Sequence, residues 1–104
     1  MTEQETKIYD ATLQLEAALN VAGLRYEKHS EHTYVDFEKR GYARFAVCDN
    51  PKVLLSKHGT RPVIVALELH PAGAKVSRRK IAVAAKNYPT NVIKALRKLA
   101  GGVQ

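Results

Sequence analysis

Two histidines three residues apart, His29 and His32 in the stretch "KHSEHTYV", are the first side chains here whose type and spacing could do chemistry. A neutral imidazole near physiological pH serves as a general base or as a metal ligand. On a helix this spacing sets both rings on one face, whereas an extended chain is expected to send them to opposite faces. Further metal ligands would have to come from Cys48, His58 or His70, and nothing in their spacing demands a site. Neither a metal nor any other cofactor is expected. The second feature is charge. From Lys75 to Gly102 the chain holds eight Lys or Arg and no Asp or Glu. Residues 1–50 carry 6 basic and 9 acidic side chains, and residues 51–104 carry 11 and 1.

A net charge of +7 on 104 residues narrows the partners. Such a surplus attracts polyanions through a field reaching about 8 Å at physiological salt. Nucleic acid, DNA or RNA, is the usual polyanion, though an acidic protein or an anionic membrane surface produces the same composition. The segments expected to carry the contacts are Lys75, Arg78, Arg79, Lys80 and Lys86, with Lys94, Arg97 and Lys98 behind them. Lys39 and Arg40 join if the fold brings them round. Solubility alone would also favour lysine and arginine, but with acidic residues interspersed, and none follows Leu69.

The elements that must position these residues follow from patterning. One domain over residues 1–104 is expected, with 45% hydrophobic residues to fill a single modest core. The apolar runs are too short to span a bilayer, so no membrane partner is expected. The polar start "MTEQETK" lacks a signal region, and the lone Cys48 fits a reducing cytoplasm. With no Trp and few aromatic residues, a base-stacking platform is not expected.

Thr2 and Glu5 form a capping box ahead of Ile8, Ala11, Leu15, Ala18, Leu19 and Ala22, which recur at helical steps until Gly23. Residues 33–47 alternate as a hairpin, with Thr33, Val35, Phe37, Ala43, Phe45 and Val47 inward and Lys39-Arg40-Gly41 turning the chain. Residues 52–60 are ambiguous. Arg61–Leu69 reads as a third strand, its apolar run implying cover on both faces or a central place in the sheet. Residues 77–88 fit a strand or a helix, and their alanines favour helix. Pro89 ends that segment, and Thr90 caps a last helix closed by Gly101. The sum is α+β, order α-β-β-β-α-α, with a small three-stranded antiparallel sheet. A long apolar third strand would leave an edge for a homodimer.

Two resemblances bear on chemistry. Asp36 and Glu68 on separate strands resemble the carboxylates of PD-(D/E)xK nucleases, which hold Mg²⁺ beside a water-activating lysine, but His70 stands where that lysine belongs. The helix, "GL", the histidine before a strand, the hairpin and "KIAVAAKNYPTNVIKALRKLAG" resemble HicA-type toxins and their relatives with a double-stranded-RNA-binding-like core. That resemblance implies an mRNA-cleaving histidine, here His32 in Ser30-Glu31-His32, and a strand at residues 80–85. The family's motif is Gly-Ser-His, so two of its three positions differ. The leading expectation is a small cytoplasmic, prokaryotic or phage-type regulator that binds nucleic acid through a C-terminal basic face without catalysis. A HicA-like ribonuclease and an inhibitor or adaptor of an acidic protein are the alternatives.

Overall fold

Helix α1 spans Glu3–Val21 and opens on the capping box: the Thr2 hydroxyl accepts from the Glu5 amide, and the Glu5 carboxylate accepts from the Thr2 amide. It ends before Gly23, whose φ of +73° lets the Leu24 amide fold back to the Leu19 carbonyl. The computed structural model describes residues 2–50 and 61–101, so the ambiguous segment 52–60, with His58, lies outside the described residues. Among the described residues five strands follow α1: β1 Tyr26–His29, β2 His32–Asp36, β3 Gly41–Asp49, β4 Val63–Pro71 and β5 Ser77–Ala82. A 3₁₀ turn at Glu38–Arg40 joins β2 to β3, and helix α2 spans Thr90–Gly101. All neighbouring strands run antiparallel, in the order β1-β2-β3-β4-β5.

The α+β class therefore holds, while the three-stranded sheet and the second C-terminal helix are corrected. Residues 77–82 are a strand. β4 would otherwise present one side of its backbone unpaired, and β5 satisfies it from Leu69↔Ser77 to Ile64↔Ala82. That pairing turns Ile81 onto the core, and ladder bonds plus burial outweigh the helix preference of three alanines. β1 was missed because only Tyr26 of its four residues faces inward. β4 does lie inside the sheet, between β3 and β5, so the expected free edge for a homodimer is not there. The edges are β1 and β5.

Both helices pack on one face. Leu15 and Leu19 of α1 and Val92, Ile93, Ala95, Leu96 and Leu99 of α2 meet Val35, Ala43, Phe45, Val65, Leu67 and Leu69. Each fully buried aliphatic side chain in this layer stabilises the fold by about 1.5–3 kcal/mol. The segment between β5 and α2 is tied down by Tyr88, whose hydroxyl donates to the Ala11 carbonyl. Burial pushes the Tyr88 phenol up to about 12. The folded protein thus favours the neutral ring, and this part of its stability is complete below pH 10 and lost as pH rises through 12. In an ultraviolet titration one of the five tyrosines should ionise near pH 12, and Tyr88→Phe should remove that phase at a stability cost of about 1 kcal/mol.

Candidate nucleic-acid interface

The sheet's second face carries His29 of β1, His32 and Tyr34 of β2, and Tyr42 and Arg44 of β3. Ala66, Glu68 and His70 of β4 and Arg78 and Lys80 of β5 share it, as do the acidic Glu27 of β1 and Asp36 of β2. Among the described residues no helix packs on it. His29 and His32 are cross-strand partners across the Ser30-Glu31 turn, so they share a face. The expectation of opposite faces fails because a tight hairpin, not one continuous strand, separates them; Ser30 takes φ +59° to make it.

Glu68 is the hub of this face. Its Oε1 accepts from Arg44 Nε at 2.6 Å and lies 3.0 Å from His70 Nε2, and its Oε2 accepts from Arg78 Nε at 3.2 Å. Arg44 and Arg78 stand opposite Glu68 on the strands to either side, which is why one carboxylate can hold both. The Arg44 guanidinium, then His70, hold the Glu68 carboxyl at about 2, and Arg44 is in turn held above its ordinary value by Glu68. Glu68 is thus engaged by Arg44, His70 and Arg78, while Asp36 lies on β2 opposite Tyr42. Among the described residues no three His, Cys, Asp or Glu side chains gather as a metal site. Because its folded value is depressed, Glu68's contribution to stability is full above pH 4.5 and disappears as pH falls through 2. Chemical denaturation of Glu68→Gln at a series of pH values should show a shallower loss of stability than wild type across that window.

Two basic concavities flank β5. On the open face, His32, Arg44, Ala66, Glu68, Arg78 and Lys80 line a hollow of about 460 Å³, with small Ala66 leaving room at its floor. On the helix side, Lys39, Arg40, Arg79 and Lys98 line a groove of about 580 Å³ over Leu69, Pro71 and Leu99. Arg79 lines both, so the two lie on either side of β5 at that residue. The second groove depends on Gly41. Its φ of +113° and its pairing with Pro71 lay the 3₁₀ turn against the β4–β5 turn, where the Ala72 amide donates to the Arg40 carbonyl at 3.0 Å.

The sequence-named residues thus divide. Lys39, Arg40, Arg79 and Lys98 come together, and Arg78 and Lys80 adjoin them on the open face with His32. Lys75, Lys86, Lys94 and Arg97 are exposed but line neither concavity. Sequence reasoning missed Arg44 and a chain of rings: His29–Tyr34, Tyr34–Tyr42 and Tyr42–His70, with centroids 5.4, 6.2 and 4.4 Å apart. The residues opposite the inward set of the hairpin were visible as an alternating series, but only strand pairing aligns them with His70. No protein-family model, curated protein or solved structure matches the chain. Among the described residues no helix is long and apolar enough to cross a membrane.

Proposed function

We propose that this protein binds nucleic acid, without catalysis, along the basic edge formed by β5 and its two flanking concavities. One observation carries the reading: seven cations from the 3₁₀ turn, β3, β5 and α2 line the two concavities, which share Arg79. Among the described residues Glu68 is the one acid in those linings, and its carboxylate is already paired with Arg44 and Arg78. Basic residues on β5 also guard an edge strand against pairing with another chain. That role accounts for charges on β5 itself and gives no reason for Lys39, Arg40 and Lys98 to converge beside it.

Fluorescence anisotropy with labelled duplex DNA, single-stranded DNA and RNA at several salt concentrations tests this. Engagement of all seven cations predicts a slope of log K against log[salt] of about −6 on a duplex and about −5 on a single strand. A slope near zero, or no binding at low salt, ends the proposal. A partner that survives nuclease treatment of a lysate would favour the acidic-protein alternative instead.

A second reading, the HicA-like ribonuclease, draws on the position of His32 in the same hollow as Arg44, Arg78 and Lys80. A neutral imidazole there is placed to take a proton beside a cation-bound phosphate. Incubation of total RNA with wild type and with His32→Ala separates the two readings, and RNA left intact by the wild type removes the second.

A further inference from the structure

We infer that the open face of the sheet receives the unpaired bases of a single-stranded nucleic acid, with its phosphates along β5. This rests on the nucleic-acid reading above and narrows its ligand. A duplex keeps its bases stacked and paired, and offers a protein surface of this shape little except phosphate. A single strand presents phosphate and bare ring faces together, and the open face has counterparts for both.

The ring counterpart is Tyr42. It lies parallel to His70, 6° apart in plane with centroids 4.4 Å apart, and still exposes 40% of its surface. On the side away from His70 it meets Tyr34 only at a 34° tilt and 6.2 Å, an open wedge rather than a closed stack. A base needs about 3.5 Å on each side of its plane, so a small rotation of Tyr34 admits one. The parallel Tyr42–His70 pair stabilises the sheet as cross-strand ring pairs do; the half-exposed wedge beside it is not needed for that.

The phosphate counterpart lies two strands away. Arg78 and Lys80 on β5 are about 10 Å from β3 at the usual strand spacing, the order of distance from a nucleotide's phosphate to the far edge of its base. Between Tyr42 and Arg78 the single strand passes His70 and Glu68 of β4, whose carboxylate Arg44 and Arg78 already engage, and Ala66 opens the floor further along, level with Lys80. Arg44 and Arg78 are held in place by Glu68 before any ligand arrives, so less side-chain freedom is lost on binding. The charge is complementary on this half of the face only, since Glu27 and Asp36 lie toward β1 and β2, and this sets the direction: phosphate at β5, bases toward β3 and β2.

The test compares a labelled oligouridylate, an abasic oligomer of equal length, and a duplex of matched charge, each titrated by anisotropy at fixed low salt. Stacking of even one base predicts oligouridylate affinity about tenfold or more above the abasic oligomer. In Tyr42→Leu that preference should vanish, while abasic affinity and salt slope stay as in wild type. Equal wild-type affinities for oligouridylate and abasic oligomer, or tighter binding of the duplex, overturn the inference and leave the phosphate-binding reading standing. Absence of binding to all three removes both. The wild-type comparison needs no variant, so it decides the matter even where the tyrosine variant fails to fold.

Discussion

Arg79→Glu/Lys80→Glu/Lys98→Glu should abolish detectable nucleic-acid binding at a salt concentration where the wild type is saturated. Arg79 lines both concavities, Lys80 the open-face hollow and Lys98 the helix-side groove, and none of them hydrogen-bonds Glu68. Arg78 is left alone because it is one of the cations holding that carboxylate, and its reversal would disturb the sheet face itself. Loss of three phosphate contacts takes about three from the magnitude of the salt slope on a duplex, and the new carboxylates add repulsion. The net charge falls from +7 to +1, three reversals of two units each. A matched control separates position from bulk charge. Lys75→Glu/Lys94→Glu/Arg97→Glu makes the same change at exposed sites that line neither concavity, and it should retain most of the affinity. If both triple variants weaken binding equally, no localised interface exists. Far-UV circular dichroism should be unchanged in each.

Gly41→Ala should be the most destabilising single methyl addition at a described glycine. A Cβ there would stand 2.1 Å from the His70 carbonyl oxygen, 2.8 Å from the Ala72 amide nitrogen and 3.0 Å from the Pro71 Cα. All three are backbone atoms, so no side chain can move aside to relieve the clash. The φ of +113° lies where essentially only glycine is at ease, which adds its own strain. The expected cost is about 3 kcal/mol or more, a fall of roughly 12 °C in Tm for a domain of this size. Gly23→Ala is the internal comparison: φ is +73° but nothing lies within 4 Å of the added carbon, so about 1–2 kcal/mol is expected. A thermal melt in which the two variants match would contradict the packing described here. Because Gly41 also seats the 3₁₀ turn, any folded Gly41→Ala protein should hold Lys39 and Arg40 out of register and bind nucleic acid more weakly.

Local signals in the chain were sufficient for some elements and silent on others. α1 was readable because cap, period and stop agree within one segment, and the β2–β3 hairpin because its alternation is unbroken on both sides of Gly41. β1 was not, since Glu27, Lys28 and His29 all face solvent and leave no alternation to detect. The 77–82 segment reads equally well at either period. What decides it is the unpaired side of β4, a requirement that no window of local sequence contains. The interface divides in the same way. Its cations were visible as a run, and the separation of Arg79 from Lys94 and Arg97 was not. Arg44 and Glu68 are 24 residues apart and meet only through the β3–β4 register. The same register brings Tyr42 to His70, which is how a chain with few aromatic residues still assembles a row of rings.

The outer side of β5 bears on how bound molecules treat one another. In free protein, like charges on Arg78, Arg79 and Lys80 hold two such borders apart. On the proposed reading, a phosphate polymer lying on them would cancel that repulsion as it concentrates several copies on one thread. Neighbours on that thread would then meet with hydrogen-bonding backbone exposed, so crowding along the ligand would follow from the three side chains proposed to capture it.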